Sequence, residues 1–440
     1  MNRIIIATIC LLHILNTQAQ TDSIKLSLNK AIEFALKNRN ELKIQQINVE
    51  ISRNEVKKIN SRLLPQLSSD IDVRYNNKLQ TNILPGIVFG AGSPDRALQF
   101  GTSYNSLIGI NFTLPVFNPN DIGDKQVAKS QIKFEELNVK KNEIDVRQEV
   151  TESYFVALMW KEKKLLSEAN LSRTKSICDM AQEQNKQGII TSHDLQHYQV
   201  DYENALSDDT QNRNNHQLSN NDLLYKMGID SVLNLTLTDN LGLLYAQFSN
   251  IPSKNTESNR IELDIERVNG EIIHQNMKKQ SLLYLPTISV YGNYATQYMD
   301  NAFNPTSSSH WHPYNYAGIK ASIPLFDGLS KHRAKTSYEL QYKSSQLKLD
   351  KLNRDFRQEA LNAITALQNA QTDMNNQKKN LVLTENLYTI DTDRFKNGAI
   401  KQNDLTTSYY SLQQSQVHYL NAIYNYLVAL VKYKKAAGSL

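Results

Sequence analysis

From Tyr338 to Leu381 the apolar positions recur at alternating spacings of four and three. The seam runs through Tyr342, Ser345, Leu349, Leu352, Phe356, Ala360, Ala363, Leu367, Ala370, Met374 and Gln377, and only Ser345 and Gln377 interrupt it. A 3.5-residue repeat held this long predicts a coiled-coil helix. The surrounding stretch, 329–397, contains neither Pro nor Gly. At about 1.5 Å per residue it would run on the order of 100 Å, so it needs partners along its length. A second long helix is predicted over 121–187 and ends at Gly188. Shorter helices are predicted over 27–37, 40–63, 191–226, 259–283 and 402–437. The 40–63 helix has Leu42, Ile44, Ile47, Ile51 and Ile59 as its apolar positions.

In four places the period changes from helical to two. Ile71 and Val73 alternate with Asp70, Asp72 and Arg74 in a strand over 67–78. Ile108, Ile110, Phe112 and Leu114 alternate with Gly109, Asn111 and Thr113 over 104–114. Ile288, Val290 and Tyr294 oppose Ser289, Asn293 and Gln297 over 287–298. The fourth strand, 314–323, ends at Pro324. Each is predicted to have one apolar and one polar face. Gly- and Pro-rich loops join the strands of each pair.

The two halves of the chain match element by element. Leu64-Pro65 corresponds to Leu285-Pro286, Pro115-Val116-Phe117 to Pro324-Leu325-Phe326, and Gly188 with Asp194-Leu195 to Gly398 with Asp404-Leu405. Each half therefore reads helix, strand, strand, long helix, break, helix. The expected organisation is a first repeat over 20–228, a linker over 229–257 and a second repeat over 258–440. Two shorter helices end to end match the long helix of each half in length. The strands have the length and alternation of membrane-spanning strands. Four strands cannot close a barrel, and an open edge in lipid costs several kcal/mol per unpaired backbone group, so several chains would have to share one barrel.

Residues 1–19 have the form of a secretory signal peptide. Arg3 precedes an apolar run, and Thr17-Gln18-Ala19 supplies a small-residue cleavage site. The run is too short for the ~20 residues of a spanning helix. Net charge is +5, with Lys and Arg spread beside Glu and Asp, which argues against nucleic acid as a partner. Hydrophobic content is 40% and mean hydropathy −0.51, values suited to long thin helical packing rather than one large core. Only Cys178 would remain after cleavage, which excludes an internal disulfide and a Cys-based metal site. No nucleotide-binding or catalytic motif is present, so no enzyme and no cofactor are expected.

Taken in order, these features resemble the TolC-like outer-membrane efflux protein family. The likeness covers the chain from about Lys25 to its end. It rests on the opening Leu28-Asn29-Lys30-Ala31-Ile32-Glu33-Phe34-Ala35-Leu36, the two Leu-Pro turns before strands, the two Pro-hydrophobe-Phe motifs, and the two Gly breaks followed by Asp-Leu. The resemblance implies a mostly α fold with a β-barrel portion: a homotrimer with a twelve-stranded barrel in outer-membrane lipid, continued by a twelve-helix α-barrel in the periplasm. The implied function is the exit duct of a tripartite efflux pump or type I secretion system. Its implied partners are a periplasmic adaptor protein and an inner-membrane transporter. The alternative is a periplasmic coiled-coil adaptor or scaffold without a channel.

The resemblance places adaptor contact at the two helix breaks, Gly188, Ile189, Ile190 and Thr191 in the first half and Gly398, Ala399, Ile400 and Lys401 in the second. It also points to a periplasmic gate at Asp404, with its repeat partner Asp194. A second acid one turn after Asp404 is missing, since Thr407 stands there. From the residues alone, Gly188 and Gly398 read as left-handed helix C-caps, and Thr191-Ser192-His193-Asp194 as a capping box with Asp in place of Glu. His193 and His197 are spaced as a metal-ligand pair, but no third ligand stands nearby and they read as two solvated histidines. His310 and His312, in the second strand–strand loop, likewise carry no metal expectation.

Overall fold

The computed structural model describes residues 24–230, 235–248 and 260–440. The signal-peptide segment and residues 249–257 of the expected linker lie outside the described residues. In chain order the elements are β1 (Ile24–Leu26), α1 (Leu28–Asn38), α2 (Asn40–Ser61), β2 (Gln66–Tyr75), β3 (Thr81–Leu84), β4 (Arg96–Gln99), β5 (Tyr104–Phe117), α3 (Pro119–Lys186) and α4 (Ser192–Lys226). They continue with β6 (Leu235–Leu237), α5 (Leu241–Phe248), α6 (Ile261–Leu282), β7 (Thr287–Asp300), β8 (Trp311–Ser322), α7 (Ser330–Lys396) and α8 (Gln402–Ala436). Equivalent helices of the two halves have matching lengths: 22 and 22 residues for α2 and α6, 68 and 67 for α3 and α7, 35 and 35 for α4 and α8.

The α7 seam is visible residue by residue. From Tyr338 to Leu381 every seam position is buried or half-buried, while most of the residues between are exposed. Among the described residues no helix is long and apolar enough to cross a membrane.

The compact units do not coincide with the sequence repeats, because each unit takes equivalent parts of both halves. One holds Ile47–Glu136 and Ile265–Leu349. Its centre is a four-stranded antiparallel sheet in the order β2-β5-β7-β8, so the two halves meet at β5 and β7. The register pairs Leu67 with Phe112, Ile71 with Ile108, Ile110 with Tyr294 and Val290 with Ile319. Since side chains alternate along a strand, this register places the aliphatic residues Leu67, Ile71, Ile108, Ile110, Val290 and Ile319 on one face. The opposite face carries Asp70, Asn111 and Asn293, joined in a row by side-chain hydrogen bonds. β2 is exposed along its whole length and β8 nearly so.

The Gly- and Pro-rich segment between β2 and β5 is not only loop. β3 and β4 form a short antiparallel pair there, each strand too short for its alternation to stand out. In the same unit Ser345, the polar interruption of the seam, donates to the Glu266 carboxylate at 2.9 Å, and Lys348 reaches the same group at 2.7 Å. Gly270 permits that approach, since a Cβ there would lie 3.2 Å from the Ser345 hydroxyl.

The other unit holds the chain up to Gln46, Leu137–Asp264 and Asp350–Leu440. Its core includes Ala31, Val150, Phe155, Leu158, Leu223, Leu367, Met374 and Tyr426. The expected linker contains structure: β6 pairs in parallel with β1, and α5 lies against α8 through Tyr245 and Tyr426. Asp239, just after β6, accepts the Leu28 N–H at the start of α1 (2.8 Å) and the hydroxyl of the buried Tyr154 (2.9 Å). The same hydroxyl lies 3.0 Å from the Leu26 carbonyl. Burial, followed by the Asp239 carboxylate, raises the Tyr154 phenol far above its usual range.

Candidate functional site

Both helix breaks belong to the second of these units, and they are built alike. Gly188 has φ +74° and Gly398 φ +71°, the left-handed region where a Cβ is disfavoured. The Gly188 N–H bonds the Asn185 carbonyl at 3.0 Å, and the Ile189 N–H bonds Gln184 at 2.9 Å. The Gly398 N–H bonds Phe395 at 2.9 Å, and Ala399 bonds Arg394 at 2.8 Å. This is the Schellman pattern, which satisfies carbonyls that the ending helix leaves free. A Cβ on either glycine would meet nothing within 4 Å, so backbone conformation alone selects the residue.

The next helix starts differently in the two halves. Thr191 is the N-cap of α4, and its hydroxyl accepts the Asp194 N–H at 3.1 Å. The Asp194 carboxylate accepts the Thr191 hydroxyl at 2.7 Å and the Thr191 N–H at 3.1 Å. Those hydrogen bonds, the hydroxyl first, hold Asp194 below the usual carboxylate range. In the second half Lys401 stands at the N-cap. Its side chain has no acceptor, so only the return bond exists, from the Lys401 N–H to the Asp404 carboxylate at 3.1 Å. Gly188, Thr191, Gly398, Ala399 and Lys401 are exposed, Ile190 and Ile400 half-buried. Ile189 is 66% exposed.

Asp404 lines a groove of about 340 Å³ with Thr384, Leu387, Asp391, Thr407, Ser408 and Ser411. Sequence reasoning looked for the second acid further along α8. The groove does hold another acid, on α7: Asp391 stands seven residues before Gly398 as Asp404 stands six after it. Positions equidistant from a hairpin turn come level, and that rule was the signal that would have found it. Asp194 does not line this groove. Deeper in the same unit, the Arg173 guanidinium on α3 lies 3.4 Å over the Tyr409 ring on α8. Among the described residues no group of three or more His, Cys, Asp or Glu is arranged to hold a metal ion.

The chain combines two capped helical hairpins with an unclosed four-stranded antiparallel sheet. The chain belongs to the outer membrane efflux protein family, whose model matches residues 31–228 and 267–439. Among solved structures, the chain is similar to CusC at 15% identity, covering 96% of this chain and 94% of that one, with a TM-score of 0.73. The CmeC outer membrane channel of Campylobacter jejuni is 16% identical, with 94% and 86% covered and a TM-score of 0.70. The outer membrane protein VceC of Vibrio cholerae is also 16% identical, with 93% and 96% covered and a TM-score of 0.65. No curated protein matches the chain.

Proposed function

We propose that this protein is the outer-membrane exit duct of a tripartite efflux pump or type I secretion system. In this reading it is a passive conduit formed by a homotrimer. Its sheets build a twelve-stranded barrel in outer-membrane lipid, and its hairpins continue as a periplasmic helical tunnel. A periplasmic adaptor protein docks at the two tips, around Gly188–Thr191 and Gly398–Lys401, and an inner-membrane transporter supplies the energy. A cleaved signal peptide carries the chain to the periplasm.

One observation supports the reading: a sheet with an exposed aliphatic face, a hydrogen-bonded polar row on the other face and two bordering strands without a further partner strand, in a chain of the efflux protein family. In lipid, such edges require neighbouring copies to close them. The exposed apolar face suits hydrocarbon, and the polar row through Asp70, Asn111 and Asn293 suits a wet interior. At the far end of the conduit, Asp404 acts as the gate residue, with Asp194 as its counterpart in the first repeat. Three copies of Asp404 at a constriction would repel anions and bind cations. Asp391, in the same groove, adds to that field. Docking of adaptor and transporter opens the ring of hairpins.

Planar-bilayer conductance of the detergent-purified protein, with wild type beside Asp404→Ala, tests this. Small cation-selective currents that grow or lose selectivity in the variant support both duct and gate. Currents unchanged by the substitution keep the duct and discard Asp404. A well-folded oligomer that neither inserts nor conducts overturns the channel reading and favours an adaptor or scaffold.

A further inference from the structure

His193 and His197 lie one turn apart near the start of α4, both exposed. Their rings are 4.8 Å apart and nearly perpendicular, at 80°. The two Nε2 atoms face one another at 3.3 Å. With an ion bonded to each nitrogen at about 2.0–2.1 Å, a 3.3 Å separation subtends about 107° at the metal, close to the tetrahedral angle. The helix supplies this arrangement directly, because residues four apart share a face.

The helix N-terminus opposes a cation there. Asp194, next to His193 in the same first turn, sets a carboxylate beside the pair, and that carboxylate accepts the Thr191 hydroxyl and N–H. Imidazole nitrogens suit zinc, nickel and copper rather than magnesium or calcium. We propose that His193 and His197 form an open binding site for a divalent first-row transition cation of the zinc, nickel or copper kind. Solvent or an exchangeable ligand completes the coordination. The site stands apart from the channel reading and does not depend on it.

The test uses the full chain, purified as its oligomer, with divalent copper alone as probe near neutral pH. Equilibrium dialysis and electron paramagnetic resonance are expected to show one copper per chain with a two-nitrogen signature. His193→Ala and His197→Ala should each lose that signature and weaken binding roughly tenfold or more, because the second imidazole no longer acts at high effective concentration. A second readout is amide exchange over residues 192–198 with zinc. At ten times the dissociation constant, local opening of the first turns should fall roughly elevenfold, and only when both histidines are present. Identical copper binding and spectra in wild type and both variants would place the ion elsewhere and overturn the site. So would an absence of binding by wild type at millimolar copper, which would leave the pair as a hydrogen-bonded couple.

Discussion

Ile71 tests whether the sheet is embedded in lipid. It lies mid-strand in β2, on the face shared with Leu67, Val73 and Tyr75, and is 70% exposed in the single chain. Ten residues rising about 3.3 Å each and tilted 35–45° span about 25 Å, the height of the lipid-facing band of an outer-membrane barrel. Ile71 then falls near the bilayer midplane, where arginine costs about 2–4 kcal/mol. That is roughly thirty- to several-hundred-fold in the folded-to-unfolded ratio. In water the same change at an exposed site would stay within about 0.5 kcal/mol. Ser68 provides the control: it pairs with Asn111 on the opposite, polar face, where Ser68→Arg should be close to neutral. Both variants would be refolded into lipid vesicles across a urea series, with the folded fraction read from the gel shift of unheated samples. Equal effects of Ile71→Arg and Ser68→Arg would refute the assignment of faces, and with it the membrane reading of the sheet.

Replacing Asp404 separates its charge from its capping bond. Asp404→Asn and Asp404→Ala should both remove cation preference in bilayer currents, while only the alanine should speed exchange of the Lys401 amide. Gly398→Ala should destabilise the second hairpin by about 1 kcal/mol, read from denaturant melts, since a left-handed φ of +71° is its only obstacle. Tyr154→Phe removes a buried donor from Asp239 and should lower stability by about 1.5–3 kcal/mol in the same melts. Asp194 has a depressed folded-state pKa, so its support for the α4 start is fully present above the ordinary range near ~4. That support should vanish as pH falls through the folded value, and amide exchange over 192–196 should lose this pH dependence in Asp194→Asn.

Long-period patterns were legible in the sequence. The α7 seam could be read because its 3.5-residue spacing repeats over many turns, and even Ser345 kept its place through Glu266. Strand alternation was equally plain, because an antiparallel register preserves faces. Short or distant features were not legible. β1 and β6 have three residues each, too few for a period, and residues 211 apart build the Asp239–Leu28 bond. Of the apolar positions of α2, Leu42 and Ile59 are buried, while Ile44, Ile47 and Ile51 are exposed, a difference their shared apolar character does not encode. A helical stripe reports that something covers it, not that the cover lies in the same chain. Asp391 was missed because the search followed one helix instead of levelling two across a turn.

The order β2-β5-β7-β8 has a directional consequence. The sheet's two borders are different strands, one from each half of the chain, and they run in opposite directions because each neighbour reverses. About a proposed barrel axis running along the strands, β8 of one copy would meet β2 of the next, and that new seam would be antiparallel for any number of copies. The contact is head-to-tail rather than self-complementary, so it carries no built-in stop at two; closure depends on the curvature of each added sheet. Until the ring closes, each copy has two open hydrogen-bonding borders. In the proposed barrel, assembly is therefore the step at which strand-to-strand aggregation would compete with closure.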